Sequence, residues 1–228
     1  MRVDHVSYAA EPDGLIATAE RLAKKLRVTP VDGGIHPRFG TRNIIFPLAH
    51  ERYLEVVTVL DHPASDKAPF GQAVRARSDS GGGWLGWVVR VDDISEFERR
   101  LGREAGVGRR HRPDGVQLSW RQLGIKGLIA DPQLPFFIEW DDESVHPSVG
   151  ATTDVTISGL QIAGDSTRVC EWLGLPADQT SSFIDFTFIA PHGTPGLLSV
   201  PFGTPDGPVP ICSAHATRRR LQGHDRAP

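Results

Sequence analysis

The chain has few cysteines, little net charge and no long hydrophobic run, and each shortage narrows the classes of protein that it can belong to. Only Cys170 and Cys212 are present among 228 residues, and they form no spacing motif. Two such thiols are typical of a reducing compartment and do not indicate redox chemistry. The remaining composition, 39% hydrophobic and 23% charged, is that of an ordinary globular protein.

The weak charge balance argues against nucleic acid or an anionic membrane as partner. The net charge is -3 and the isoelectric point is about 6.3, so there is no overall basic field. Two local basic runs, residues 109–112 and 218–220, are interpreted as solvated surface. No apolar run approaches membrane-spanning length, and no basic and apolar signal precedes the first predicted strand. We therefore expect a cytoplasmic protein without a membrane partner.

Three segments repeat a similar order of predicted elements. Residues 1–60 read as β-α-β-β, with an apolar helical stripe that begins at Leu15 and ends at Leu26. Predicted strands in this module cover residues 3–8, 41–47 and 52–59, with a further candidate near 28–31. A Pro-, Ser-, Asp- and Gly-rich stretch, 61–83, is interpreted as a connector to the second module, 84–150.

In the second module a helix starts after Asp93, and its buried stripe includes Ile94 and Leu101. Its predicted strands cover residues 84–91, 116–123, 127–130 and 136–140. A partial third module spans 151–208, with strands at 155–162, 183–189 and 196–200 and a helix from Asp165 to Gly174. Residues 209–228 are predicted to be a tail, in which Ile211 and Cys212 could dock. The fold class is therefore predicted to be α+β.

Three predicted strands each carry one ionisable residue among apolar neighbours: His5, Glu55 and Glu139. A charge buried in a sheet must pair, bind a metal or become neutral. Brought together, one histidine and two carboxylates would make most of a metal site. The alternatives stay open: His5 as a hydrogen-bonded core residue, Glu55 paired with Arg42 or Arg52, and Glu139 as a solvated strand end.

Five further residues could serve a substrate. His36, in a Gly-rich loop, could orient or protonate a substrate oxygen, or cap a turn. Arg42 could hold a carboxylate in a two-point contact, and Asn43 could donate to a carbonyl or bond to the neighbouring glycine turn. Trp87 and Trp120 could line an apolar pocket, although aromatic residues at strand spacing are also typical of a core.

The stretch GGIHPRFGTRNIIFPLAHERYLEVV, residues 33–57, resembles the glyoxalase-like subgroup of the vicinal oxygen chelate (glyoxalase/bleomycin resistance/dioxygenase) superfamily. The resemblance rests on a His, then Gly-Thr-x-Asn, then Tyr-Leu-Glu. It implies paired βαβββ/βαββ modules whose curved mixed sheets form a shared cleft, followed by a partial βαβ-type module.

The resemblance also implies a set of metal ligands on the first and last strands of each module. His5, Glu55 and Glu139 match three of them, whereas the fourth position falls at Gly86, or after a register shift at Trp84 or Trp87, which have no ligating side chain. The expected cofactor is a divalent ion, zinc, manganese, iron, nickel or magnesium, held by three residues.

Two functions follow as expectations. The first is a metal-assisted lyase or isomerase in which the ion stabilises an enolate of a small oxygenated organic substrate, and Glu55, Glu139 or His36 moves protons. The second, favoured by Gly86, is a metal-free protein that binds a drug or metabolite in the same cleft. Either would have a small-molecule partner, and the sequence is compatible with a homodimer.

Overall fold

A closed eight-stranded barrel carries the candidate site, and a second sheet packs against its outside. The computed structural model describes residues 1–176, 184–189 and 195–213. The barrel strands are β1 (Arg2–Ala9), β2 (Val31–His36), β3 (Thr41–Leu48), β4 (Arg52–Val59), β5 (Gly83–Arg90), β6 (Gly106–His111), β7 (Gln117–Leu123) and β8 (Phe136–Trp140). The helices are α1 (Leu15–Leu26), α2 (Pro63–Lys67), α3 (Pro69–Asp79), α4 (Ile94–Leu101), α5 (Gly127–Ala130) and α6 (Ser166–Leu173).

The barrel is built from two modules of the same topology. Its strand order is β1-β4-β3-β2-β6-β7-β8-β5, with β1 parallel to β4 and β5 parallel to β8. Each module runs strand, helix and three strands, and antiparallel β1 and β5 join the two at one seam. The predicted α+β class with paired modules is therefore confirmed, and the shared cleft is the interior of a closed barrel.

The two long predicted helices form where their apolar stripes and end signals place them. α1 buries Leu15, Ala19, Leu22 and Leu26, and it ends where Arg27 adopts a left-handed conformation. α4 begins after Asp93, whose carboxylate accepts a hydrogen bond from the Ser95 backbone N–H at 2.8 Å. Such a cap satisfies one of the free N–H groups of the first turn.

The predicted connector, residues 61–83, is largely helical. Pro63 and Pro69 each begin a helix, a position where the missing proline N–H costs nothing. Phe70 and Val74 of α3 then pack against the inward-facing side chains of the barrel. The Pro- and Gly-rich composition reflected helix starts and turns, and the segment helps to close the barrel interior.

In the second module one strand prediction was wrong and one strand was not predicted. Residues 127–130 form the short helix α5, whose Leu128 packs against the inward-facing side chains of the barrel. Residues 106–111 form β6, which was not predicted. The sequence of β6, GVGRRH, did not indicate a strand, because it has weak strand propensity and a polar outer face.

The third module forms the second sheet. Its strands are β9 (Thr156–Ile157), β10 (Gly159–Ala163), β11 (Asp185–Ile189), β12 (Gly196–Thr204) and β13 (Gly207–Cys212), in the order β11-β10-β12-β13, with β9 paired to β12. Residues 209–212, predicted to be tail, belong to β13, where Ile211 is buried. The rest of the predicted tail, from 214 onward, and residue 183 lie outside the described residues.

This sheet covers the outer face of β5. The Trp84 indole N–H donates to the Ile211 carbonyl at 2.8 Å, and the Trp87 ring lies 5.3 Å from that of Phe186, centroid to centroid. The barrel wall therefore has an apolar core on each side, one under the helices and the second sheet and one inside. In the described ranges no helix is long and apolar enough to cross a membrane.

Candidate active site inside the barrel

The barrel contains a cavity of about 30 Å³ that is walled mostly by aromatic rings. Its polar groups come from His5, His36, Glu55, Arg110 and Gln122. The remaining lining residues are Phe39, Tyr53, Phe70, Trp120, Ile125, Phe136, Ile138 and Trp140. An apolar pocket with a few convergent polar groups is the usual form of a small-molecule site.

Glu55 lies in this cavity because side chains alternate along a strand. Tyr53, Glu55 and Val57 of β4 point inward, and Leu54 and Val56 join the outer core. Glu55 is only 4% exposed. The Ser7 hydroxyl donates to its Oε2 and the Asn43 amide donates to its Oε1, each at 2.7 Å.

These contacts keep Glu55 ionised. Burial alone would raise the pKa of its carboxyl, but the neighbouring His36 and His5 and the bonds from Asn43 and Ser7 lower it. The arginine alternatives do not apply: Arg42 pairs with Asp32 at 3.0 Å on the surface, and Arg52 donates to the Ile157 carbonyl at 2.9 Å. Asn43 and Ser7 thus hold the charge that the sequence assigned to a metal or an arginine.

Gly33, which has no side chain, leaves room for the side chain of Asn43. A Cβ on Gly33 would lie 2.1 Å from Asn43 Oδ1, so only glycine fits there. Asn43 is fully buried, and its amide supports Glu55. The structure therefore places this predicted substrate-binding residue one step behind the cavity wall, since Asn43 contacts Glu55 and is not itself among the lining residues.

His5 presents its imidazole to the cavity from a β-bulge. The register of β1 against β5 shifts between Val3 and His5, which leaves Asp4 as the extra residue. His5 Nδ1 lies 2.7 Å from Asp4 Oδ2, and the His5 ring stacks on Tyr53 at 4.3 Å between centroids. The Asp4 carboxylate fixes the proton on Nδ1, so the Nε2 lone pair is free of that bond.

Asp4 is the centre of a buried polar network that the sequence reading missed. His146 Nε2 lies 3.1 Å from its Oδ1, the Trp140 indole N–H donates to the same oxygen at 3.3 Å, and Arg90 Nε lies at 3.5 Å. Burial would raise the pKa of Asp4, but the hydrogen bonds with His146 and His5 outweigh it and lower the pKa to about 2. The available signal was an aspartate inside an apolar strand, next to His5.

His36 enters the cavity at the end of β2, opposite His5. Its Nδ1 is 3.0 Å from Thr41 Oγ1 and its Nε2 is 4.0 Å from Glu55 Oε1. Burial lowers its pKa to about 4, helped by Arg110 and His5 and opposed by Glu55, so the ring is neutral at pH 7. A hydroxyl that donates to Nδ1 leaves the proton on Nε2, facing Glu55 and the cavity.

Glu139 lies on the other side of the barrel wall. Ile138 and Trp140 of β8 line the cavity, so the side chain between them points outward. There Glu139 accepts a hydrogen bond from the Ile94 backbone N–H at 3.2 Å and pairs with Arg121 at 3.4 Å. Glu139 thus caps α4 from the outside and is far from the groups around His5.

The predicted substrate-binding residues Trp87 and Trp120 also lie on opposite sides of the barrel wall. Trp120 belongs to the cavity wall, where its ring lies 5.9 Å from that of His36. Trp87 is fully buried in the outer core, and its indole N–H donates to the Gln133 carbonyl at 3.0 Å. Arg42 is on the surface with Asp32. Of the predicted substrate-binding residues, the structure therefore places only Trp120 at the cavity.

The residues that the resemblance implies as metal ligands do not fit a metal ion in this arrangement. Glu139 is outside, and both oxygens of Glu55 already accept hydrogen bonds. No three His, Cys, Asp or Glu side chains of the described ranges are grouped so that they could hold an ion. At the fourth position, a Cβ on Gly86 would lie 2.6 Å from Leu128 Cδ2, the end of a flexible side chain, so a larger residue there requires Leu128 to move.

Arg110 is the second functional residue that the sequence reading missed. The run at residues 109–112 was interpreted as solvated surface, and for Arg110 this was wrong, because it is 3% exposed and lines the cavity. The signal was alternation along β6, where Gly108 and Arg110 are buried and Arg109 and His111 are exposed.

Comparisons with known proteins agree with this architecture. The family described as a glyoxalase-like domain matches residues 3–174. A crystal structure of a hypothetical protein from Staphylococcus aureus is similar over 93% of this chain and 87% of its own, with 13% identity and a TM-score of 0.56. This likeness is one of fold alone.

Methylmalonyl-CoA epimerase from Mycobacterium tuberculosis aligns with 61% of this chain and 86% of its own, with 16% identity and a TM-score of 0.40. A variant of the Streptomyces coelicolor enzyme in complex with 2-nitronate-propionyl-CoA aligns with 61% and 96%, with 15% identity and the same score. No match was found among curated proteins.

Proposed function

We propose, from the premise that this chain belongs to the glyoxalase-like domain family of the vicinal oxygen chelate superfamily, that its barrel cavity catalyses proton transfer on a small oxygenated organic substrate. The reaction would be of the isomerase or lyase type. The observation that carries the proposal is the buried pair of Asp4 and His5, 2.7 Å apart, at the cavity wall.

His5 is the base. A carboxylate that accepts the Nδ1 proton orients the imidazole and stabilises the imidazolium that forms when Nε2 takes a proton. Asp4 is suited to this because its lowered pKa keeps it ionised at neutral pH. Glu55 is a poorer base, since both its oxygens already accept hydrogen bonds and its pKa is lowered as well.

The step begins with removal of a proton from the carbon beside a carbonyl. His5 Nε2 forms the new N–H bond, the C–H electron pair becomes the carbon–carbon double bond, and the carbonyl electrons move onto oxygen. Return of the proton to another atom completes an isomerisation, whereas departure of a group from the adjacent carbon completes an elimination. No step needs an oxidant or reductant.

His36 is placed to stabilise the enolate oxygen. Its ring is neutral at pH 7, and in the tautomer that accepts from Thr41 at Nδ1 the Nε2–H points toward Glu55 Oε1. A neutral imidazole can donate a hydrogen bond to an oxygen that gains charge, and that bond strengthens as the charge develops. The aromatic lining excludes water and so increases its strength.

The test is exchange of substrate hydrogen for deuterium. The protein in D₂O is mixed with a panel of small ketones, aldehydes and oxo acids, and NMR records loss of the hydrogens beside the carbonyl. We expect His5→Gln to slow exchange about 10²- to 10⁴-fold, the usual contribution of a general base. His111→Gln, at an exposed histidine on β6, is the matched control and should leave exchange unchanged. Exchange that is equally fast in His5→Gln would refute His5 as the base.

A second candidate is a metal-free protein that binds a drug or metabolite without converting it. The observation in its favour is Gly86, which offers no ligating side chain at the fourth position. Binding of a panel compound with no exchange in the wild-type protein, and no change on addition of divalent ions, would favour this function over catalysis.

A further inference from the structure

Arg110 brings a positive charge into the cavity and has no bonding partner there. Its side chain is 3% exposed, and its Nε is buried without a hydrogen bond. Across the described ranges no residue forms a hydrogen bond or an ion pair with this guanidinium, including Glu55, whose oxygens are taken by Ser7 and Asn43. An isolated buried cation is costly unless an anion or several acceptors meet it.

The other buried arginine of the described ranges has charged partners. Arg90, which is equally buried, has Asp4 and the exposed Glu51 and Glu143 around it. Arg121 pairs with Glu98 at 2.7 Å. Arg110 is held by its strand alone, since β6 turns every second side chain inward and pairs Arg110 with the buried Leu118. Its guanidinium therefore has free donors that face the cavity.

We propose that Arg110 is the anchor for the carboxylate of the substrate, so that the cavity takes a small organic acid with an apolar, planar body. This assignment rests on the proposed function, because it names the substrate class of the same cavity. A planar guanidinium matches a carboxylate in a two-point contact, and this pairing is stronger and more directional than that of lysine.

The rest of the cavity selects the body of the acid. Phe39, Phe70, Trp120, Phe136 and Trp140 supply flat apolar surface, on which an aromatic ring packs face to edge or offset. The cavity is small, with a volume of about 30 Å³, so the body of the acid can be no larger than a single ring.

Glu55 attracts Arg110 through its charge but does not bond to it. Two donors at 2.7 Å already serve its oxygens, and Arg110 forms no ion pair with it in the described ranges. The cavity thus holds one carboxylate with its own donors and one guanidinium without acceptors. A monoanionic ligand would supply hydrogen-bond acceptors to the Arg110 guanidinium, as Ser7 and Asn43 supply donors to Glu55.

The test compares ligands that differ only in charge. Phenylacetate, its neutral analogue phenylacetamide, and acetate are titrated into the wild-type protein by calorimetry, with quenching of Trp120 and Trp140 fluorescence as a second signal. We expect phenylacetate to bind roughly 10- to 100-fold more tightly than phenylacetamide, the range of a charge-assisted hydrogen-bond pair. Acetate, which lacks the ring, should bind more weakly than phenylacetate.

The variants locate the effect. Arg110→Met should reduce phenylacetate affinity by the same factor and leave phenylacetamide affinity nearly unchanged, and Arg110→Lys should fall between them. Arg109→Met, the exposed neighbour on the same strand, is the matched control and should bind as the wild type does. Arg110→Met should also melt no lower than the wild type, because it removes an unpaired buried charge.

Several results would overturn the assignment: no binding of phenylacetate, equal affinity for the amide, or equal losses in Arg109→Met and Arg110→Met. A clear drop in melting temperature of Arg110→Met without a change in binding would make Arg110 structural. If phenylacetate binds as expected but phenylpyruvate shows no deuterium exchange, the substrate class stands and the proton-transfer function fails. The two proposals are therefore separable.

Discussion

The two modules of the barrel share one topology and turn different chemistry inward. The first contributes His5, His36 and Glu55, and the second contributes Arg110 and Gln122 among Trp120, Trp140 and other apolar side chains. Each module has a strand, a helix and three strands, with its first and last strands parallel. The backbone frame is therefore common to both modules. The side chains alone make the first module a polar half, with the histidines and the carboxylate, and the second an aromatic half, in which rings surround Arg110 and Gln122.

Much of this difference arises because the glutamates on the last strands of the two modules differ by one residue in strand phase, so that one faces inward and the other outward. Glu55 and Glu139 each lie on the last strand of a module, but Glu55 is in phase with inward-facing Tyr53, whereas Glu139 lies between inward-facing Ile138 and Trp140. A shift of one residue moves a side chain through the sheet. Equivalent strands in repeated modules consequently do not guarantee equivalent site residues.

The largest predicted effect comes from removing the buried charge of the polar half. Asp4→Asn should lower the free energy of unfolding by about 3–5 kcal/mol, because Arg90 and two histidines lose the carboxylate that compensates them. Urea denaturation at pH 7 measures the loss.

Glu139→Gln is the counterpart in the aromatic half. Its ion pair with Arg121 is about one third exposed, at 28% and 34% for the two side chains, so the change should cost under about 1 kcal/mol. Losses of similar size in the two variants would show that Glu139 is as deeply integrated as Asp4, and the contrast between the two strand positions would then fail.

The next effect concerns the aromatic wall. A Cβ on Gly108 would lie 2.2 Å from Trp120 Cε2, in the ring directly across the strand pair. Because a ring in a packed wall cannot give way cheaply, Gly108→Ala should destabilise the protein by about 3 kcal/mol and shift the Trp120 fluorescence.

Gly106→Ala, two residues earlier on the same strand, is the control, since nothing lies within 4 Å of its Cβ position. It should change stability by no more than about 0.5 kcal/mol. If both alanine variants are equally stable, the close fit between Gly108 and Trp120 is not what holds the wall.

The sequence predicted which residues lie at the cavity better in the polar half than in the aromatic half. The motif around Asn43 and Glu55 and the ionisable His5 in an apolar strand are local signals, and the structure places His5 and Glu55 at one cavity with Asn43 bonded to Glu55. Strand phase in the second module was not predictable from Glu139 alone, because a five-residue strand between turns does not reveal which face is inside.

Arg110 and Asp4 were missed for a related reason. Charge runs and single acidic residues are usually solvated, and only the closure of β6 between β2 and β7, or the bulge at Asp4, buries these two. Bulges and barrel closure depend on contacts between distant segments. The fold class was therefore predictable from element order, whereas the partners of buried charges required the three-dimensional structure.

The smallest predicted effect is an acid sensitivity that resides in the polar half. His36 has a pKa of about 4 in the folded chain because it is buried, against 6.5 as its ordinary value. Below pH 6.5 the unfolded chain takes up a proton at this residue and the folded chain does not, so stability falls as pH falls from about 6.5 to about 4. Between pH 7 and pH 5 the His36 contribution to the free energy of unfolding should be about 2 kcal/mol.

Urea denaturation at the two pH values should show that the free energy of unfolding declines less in His36→Gln than in the wild type, by that amount. His111→Gln, the exposed control in the other module, should keep the wild-type decline, and an unchanged decline in His36→Gln would place the acid sensitivity elsewhere.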